Sequence, residues 1–306
     1  MSGAPVWLEA ALNGPWGRDR QPLIPLSVAE IVAEGVACAE AGAAIIHVHA
    51  RDPDTGVQRD DADIYAAIIE GIRARVDCIV YPTLPLAGAV GHEAGDNLAA
   101  RFKAVEGLAQ RDLLEWTVVD PGSVNFIHDV DLAAGTDGFL YRNPGDHVRA
   151  GLDVARRAGA VPSYAIYEPG FLRAGAALAQ ASGVREPIYR FMFSKGFHWG
   201  FPPAEWALDA YLRLLDEMAP GAPWMLAGLD VDVLPLAPTA FARGGHLRVG
   251  LEDAPFGSNL TNLEWVRRGR AVIEGAGRVP ASPAEVRAAL VTQSPSVSEA
   301  RTNSST

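Results

Sequence analysis

The chain has 306 residues, 49% of them hydrophobic and 21% charged, with a formal net charge of −11 and two cysteines. This is the composition of a globular protein with a sizeable core, and it excludes both a disordered chain and a disulfide framework. The negative balance argues against a nucleic-acid partner, which calls for a basic face. No apolar run reaches the roughly 18 residues of a membrane span, and the N-terminus lacks a secretory pattern, so the cytoplasm is the expected location.

Short apolar runs alternate with segments of helical period. In chain order the expected strands are Val6–Leu12, Ala44–His49, Cys78–Pro82, Leu113–Val119, Val161–Tyr167, Ile188–Phe193, Trp224–Ala227 and His246–Leu251. Between them lie expected helices at Ser27–Ala41, Asp61–Arg75, Asp96–Leu108, His147–Ala158, Pro203–Met218 and Leu260–Glu274. Ser27 and Glu30 have capping-box spacing just ahead of an apolar face. Eight alternating units imply a parallel sheet closed into a (β/α)₈ TIM barrel, read here as one domain over residues 1–292. The rival is an open doubly wound sheet, whose glycine fingerprint is missing from Leu12-Asn13-Gly14-Pro15-Trp16-Gly17. From about Gln293 the chain is rich in Ser and Thr without a period, so residues 293–306 read as a flexible tail.

The second strand ends in His47-Val48-His49-Ala50-Arg51-Asp52. Alternation along a strand sends His47 and His49 to one side, where two imidazoles suit a shared metal. A third ligand is needed, and the eighth strand ends in Arg248-Val249-Gly250-Leu251-Glu252-Asp253. In a barrel the second and eighth strands both flank the first, so Glu252 can reach the same ion. A His₂Glu set with an open position is a catalytic zinc arrangement. Cys38 and Cys78 are expected to be core or surface thiols without a metal role.

These two motifs, with Gly122-Ser123-Val124-Asn125-Phe126, Glu40-Ala41-Gly42-Ala43 and Asn262-Leu263-Glu264, resemble the β-keto acid cleavage enzymes over residues 6 to 290. The resemblance implies a zinc-dependent (β/α)₈ barrel that converts a β-keto acid and acetyl-CoA into acetoacetate and a new CoA thioester. It implies His47, His49 and Glu252 as zinc ligands and Asp253 and Arg248 at the reacting centre. Thr83 and Thr117 match substrate-binding hydroxyl positions, and the family pattern suggests a homotetramer. Members that cleave 3-keto-5-aminohexanoate carry a Glu after the first strand and another on the fifth, where this chain reads Gly14-Pro15-Trp16 and Ala165. Loss of both acids points to a substrate tail that is neutral, apolar or anionic rather than cationic.

The chemistry of the residues gives Asp253 the role of base, and Arg248 that of binding the substrate carboxylate or bearing on Asp253. Glu168, His198 and Trp199 follow strands, and either line the pocket or pack their loops. His92, His128 and His147 are expected as surface or capping histidines, and the Phe197–Trp206 stretch as a lid or a subunit contact. No glycine-rich phosphate loop marks a CoA site. Three rivals stand beside this reading. An amidohydrolase-type zinc hydrolase would place its His pair on the first strand and add later histidines. A CoA-independent metal lyase or aldolase would share the zinc chemistry, and a non-catalytic keto acid or metal sensor would show no turnover.

Overall fold

The computed structural model describes residues 4–52, 55–87 and 96–292. Within them the strands are β1 (Leu8–Ala11), β2 (Ile45–Val48), β3 (Ile79–Pro82), β4 (Trp116–Val118), β5 (Val124–Phe126), β6 (Phe139–Tyr141), β7 (Val161–Ile166), β8 (Ile188–Ser194), β9 (Trp224–Leu229) and β10 (His246–Val249). Eight of these form one parallel sheet in the order β3-β2-β1-β10-β9-β8-β7-β4. Its two end strands, β3 and β4, lie against one another, so the sheet is a nearly closed (β/α)₈ barrel and not an open doubly wound sheet. All eight expected strands are present. They read as continuous apolar runs because both faces are buried, one inside the cylinder and one under the helices.

The helices form where local chemistry starts and stops them. Helix Val28–Glu40 opens on the Ser27–Glu30 capping box, helix Ala62–Arg73 on an Asp61 cap, and helix Asn262–Gly275 on a Thr261–Glu264 box. Helix Pro169–Ser182 has no counterpart among the sequence expectations. Its buried face is Phe171, Leu172, Gly175 and Ala179, and it packs closely on the barrel, since a Cβ at Gly175 would sit 2.7 Å from the Tyr164 ring. A second unexpected feature is an insert after β4: the antiparallel hairpin β5–β6, with the short helix Asp129–Ala134 between its strands. It leans over the carboxyl ends of the barrel strands, where Phe126 touches Tyr167, Phe197 and Trp199. No helix among the described residues is long and apolar enough to cross a membrane. The tail from Gln293 and His92 lie outside the described residues.

The register around β1 sets the site. Ala11 pairs with His47 of β2 on one side, and Glu9 pairs with Arg248 of β10 on the other. After β10 the chain turns at Gly250, whose φ of 130° belongs to glycine. The Glu252 N–H then donates to the Ala11 carbonyl at 3.2 Å. A Cβ at Gly250 would overlap that same carbonyl oxygen. Gly250→Ala is therefore expected to lower stability by about 2–3 kcal/mol, or roughly 3–5 °C in Tm, through backbone strain. A thermal melt unchanged from wild type would show that the turn can relax.

Candidate metal centre and active site

His47 and His49 leave the end of β2 on the same side, as strand alternation requires, and Glu252 comes from the turn after β10. The three ligand atoms lie within 4.8 Å of one another, and all three residues are buried. Glu252 Oε2 is 3.5 Å from Nε2 of each histidine. That spacing is long for a hydrogen bond, but close to the ligand-to-ligand separation of about 3.3 Å set by two 2.0–2.1 Å bonds at a tetrahedral angle. His49 Nε2 and Glu252 Oε2 are also buried atoms without a hydrogen-bond partner. An imidazole lone pair facing a carboxylate oxygen calls for a cation between them, so the donor set fits a divalent metal.

Neighbouring groups orient these ligands. His49 Nδ1 is 2.9 Å from Gln58 Oε1, so Nδ1 carries the proton and Nε2 keeps its lone pair for the metal. Gln58 is held in that orientation because its amide N–H groups donate to both oxygens of Asp60, which also accepts from the Tyr65 hydroxyl. Asn13 closes the backbone side, accepting from the His49 N–H and donating to its carbonyl, each at 2.9 Å. Arg51 spends its guanidinium on the carbonyls of Asn13, Gly14, Trp16 and Gly56, which clamps the loop after β1. Gly14 in that loop must be glycine, since its φ is 57° and a Cβ would lie 2.6 Å from Glu252 Cγ.

Arg248 is the charge hub. It is 1% exposed and donates to both oxygens of Asp253 at 2.9 and 2.8 Å, and to Glu9 Oε1 at 2.9 Å, while its Nη2 stands 2.8 Å from Glu252 Oε1. Burial works to raise the Glu252 pKa, but the Arg248 guanidinium, followed by His47 and His49, outweighs it and holds the carboxyl well below the usual range. Burial pushes His47 well below the ordinary imidazole value, which leaves it in the neutral, ligating form. Asp253 is raised to about 6, chiefly by burial, with Arg248 opposing. Within the strand cylinder four buried carboxylates, Glu9, Asp120, Glu252 and Asp253, face two buried arginines, Arg190 and Arg248.

The metal-ligand candidates open onto a cavity of about 310 Å³ walled by Trp16, Leu84, Phe126, Phe139, Tyr141 and Tyr167, with Thr83, Asp120, Ala165 and Arg190 also lining it. A larger hollow of about 900 Å³ lies at the amino ends of the strands beside Trp7, Trp224 and His246, away from the histidine pair. Of the expected pocket residues, Thr83 lines the cavity and Thr117 does not. On β4 the cavity positions are Val118 and Asp120, and Val119, beside Gly151 of helix Gly145–Ala158, marks the helix-facing side that Thr117 shares by alternation. Glu168 also stays out of the cavity, because it accepts from the Gly200 N–H at 3.1 Å and braces the Phe197–Trp206 loop. Tyr167 takes the wall position instead.

Arg248 and Asp253 are not among the residues that line the cavity; Asp253 accepts from Arg248 at both oxygens, and Arg248 also meets Glu9 and Glu252. His198 pairs with Asp129 at the surface, His147 meets Arg101, and His128 caps helix Asp129–Ala134 while its Nε2 meets Asp230. Phe197 stacks on Trp16 and Trp199 packs against Tyr167, so this loop covers the mouth. Both cysteines are buried, and burial raises their pKa values. The sequence reading missed Glu9 and Arg190, although each is a lone charge within an apolar strand run, which is a legible signal. It also missed Tyr141 and Phe139, which reach the cavity only because the insert folds over it.

A (β/α)₈ barrel that gathers two histidines and a glutamate at its strand ends, beside an aromatic cavity, defines a barrel with a candidate divalent-metal active site. The chain belongs to the β-keto acid cleavage enzyme family, whose model matches residues 5–291. It is 30% identical over 294 residues to the 3-oxoadipate:acetyl-CoA acetyltransferase of Cupriavidus necator, covering 94% of each chain. It is 27% identical to the 3-keto-5-aminohexanoate cleavage enzyme of Fusobacterium nucleatum, covering 89% of this chain and 92% of that one. Among solved structures, a binary complex of ObcA with oxaloacetate superimposes with a TM-score of 0.70 at 17% identity, covering 88% of this chain and 67% of that one, a likeness of fold.

The hydrogen bond from His49 to Gln58 gives a direct test of ligand orientation. If the three residues hold a divalent metal, Gln58→Ala is expected to weaken its binding by roughly 10–100-fold in a chelator competition, with the fold intact. Unchanged affinity would mean that Gln58 does not orient His49.

Proposed function

We propose that this enzyme is a zinc-dependent β-keto acid cleavage enzyme that uses acetyl-CoA as co-substrate, with His47, His49 and Glu252 as its metal ligands. The observation that carries the reading is the convergence of three buried donors, two of them left without partners, on one point of an aromatic cavity. In the reaction the bond between the keto carbon and the methylene of the β-keto acid breaks, and that methylene bonds to the acetyl carbonyl carbon. The released CoA thiolate takes the remaining acyl group, so acetoacetate and a new acyl-CoA leave. Zinc would polarise the ketone and favour enolate character at its oxygen.

The protein groups divide the remaining work. Asp253 is the proposed base for the methylene proton, and its raised pKa suits proton transfer near neutrality. To act, one of its oxygens must leave the Arg248 fork, and Arg248 then stabilises whichever of Asp253 and Glu252 stays charged. Thr83 offers a hydroxyl to substrate from the cavity wall. Pro15, Trp16 and Ala165 line the cavity at the positions where members that cleave the aminated keto acid carry acids, which supports a neutral, apolar or anionic tail over an ammonium tail. The name of the Cupriavidus necator relative, which carries a dicarboxylic keto acid, points the same way. We read residues 1–292 as one catalytic domain, working in the cytoplasm. A homotetramer is the proposed assembly, for which the exposed Val130, Leu132 and Leu140 of the insert offer an apolar contact.

Two assays test this. Asp253→Asn should keep stoichiometric zinc while kcat falls by about 10²–10⁴-fold, the usual scale for a general base; near-normal turnover would remove Asp253 from that role. A panel of β-keto acids should give acetoacetate and acyl-CoA only when acetyl-CoA is present, with acyl-chain or dicarboxylic substrates ahead of aminated ones. Turnover without acetyl-CoA would reassign the enzyme as a lyase.

A further inference from the structure

The barrel holds two buried arginines in very different states. Arg248 has each terminal nitrogen and Nε on a carboxylate. Arg190, 3% exposed in the middle of β8, donates one long hydrogen bond, from Nη2 to the Ser163 carbonyl at 3.3 Å. Its Nη2 stands 4.0 Å from Asp120 Oδ1, too far to donate. The two Asp120 oxygens are already engaged, by the Tyr141 hydroxyl at 2.6 Å and the Ala165 N–H at 3.1 Å. Among the described residues neither Nε nor Nη1 of Arg190 has a hydrogen-bond partner. A guanidinium kept out of water with most of its donors unused is costly unless something completes its shell.

Position indicates what that is. Arg190 lines the same cavity as His47, His49 and Glu252. In the strand order β8 lies four strands from β2, directly across the cylinder. A molecule filling this cavity therefore touches the candidate metal site on one wall and an under-bonded cation on the other. Arg248, the obvious carboxylate binder by its place in the sequence, is fully used and off the cavity wall. We propose that Arg190 is the anchor for the substrate carboxylate next to the reacting ketone, so that the β-keto acid is held between Arg190 and the His47–His49–Glu252 site. This rests on the β-keto acid reading but concerns an anion subsite that can be tested without turnover. The planar fork of Arg suits a carboxylate, and a charged hydrogen-bonded pair in a dry cavity separates an anion from its neutral analogue strongly.

The test is calorimetric binding of acetoacetate and of acetoacetamide, its neutral analogue, to the zinc-loaded protein. Wild type should prefer acetoacetate by about tenfold or more. Arg190→Gln should erase most of that preference with zinc content unchanged, and Arg190→Lys, which keeps the charge and most of the volume, should retain part of it. In turnover, the KM for keto acid should rise in both variants while the KM for acetyl-CoA stays the same. No preference in wild type, which needs no variant to fold, would overturn the proposal, as would a preference that survives in folded Arg190→Gln. An effect confined to keto dicarboxylic acids, with acetoacetate binding untouched, would place Arg190 on the tail and also overturn it. If no keto acid turns over but the acetoacetate preference still depends on Arg190, the anion subsite stands and only the reaction assignment falls.

Discussion

The site depends on one buried cation, Arg248, which ties three carboxylates from two strands into a single array. Glu9 on β1 fixes it from below, Asp253 grips it in a fork, and Glu252 is held by it in the ionised form that a metal needs. Removing one partner of such a buried network typically costs about 3–5 kcal/mol, because the others are left charged and dry. The network is therefore less a source of net stability than a device that allows only one arrangement of charges. It also explains why Arg248 and Asp253 sit behind the cavity wall while Glu252 stands in it.

Outside this array the metal-ligand candidates are set by backbone pairing. β1 lies between β2 and β10, so Ala11 can pair with His47 and accept from the Glu252 N–H in the same turn of chain. Glycine at position 14 lets the loop after β1 close onto Glu252, and glycine at position 250 lets the turn after β10 close onto the Ala11 backbone. Gln58 and Asp60, from the loop after β2, then fix which nitrogen of His49 is left bare. Gly14, Gln58 and Asp60 lie in loops that follow barrel strands, the usual place for groups that shape a site on a barrel scaffold.

The wall of the cavity follows another logic. The hairpin after β4 and the Phe197–Trp199 stretch meet over the mouth through Phe126, Phe197 and Trp199. They close the site with aromatic surface, which lowers the local dielectric and strengthens the few polar contacts inside. Glu168, by bracing Gly200, supports this cover.

Local pattern was enough to read the eight strands, most of the helices and the His–His–Glu set. Strand alternation and helix caps act over two to four residues, and barrel closure makes neighbours of the first, second and last strands whatever the loops do. The helix Pro169–Ser182 escaped because its buried face, Phe171, Leu172, Gly175 and Ala179, is half made of small residues that also occur on its other faces, which blurs the stripe. Thr117 and Glu168 fall outside the cavity lining, which their strand-end positions alone do not reveal, because the side a residue faces there depends on registers and turns set by the other strands. Arg190 and Arg248 look alike in the chain, each a lone charge in an apolar strand. Only the folded barrel separates them, because only there does one guanidinium find Glu9, Glu252 and Asp253 around it while the other faces a cavity with most of its donors unused.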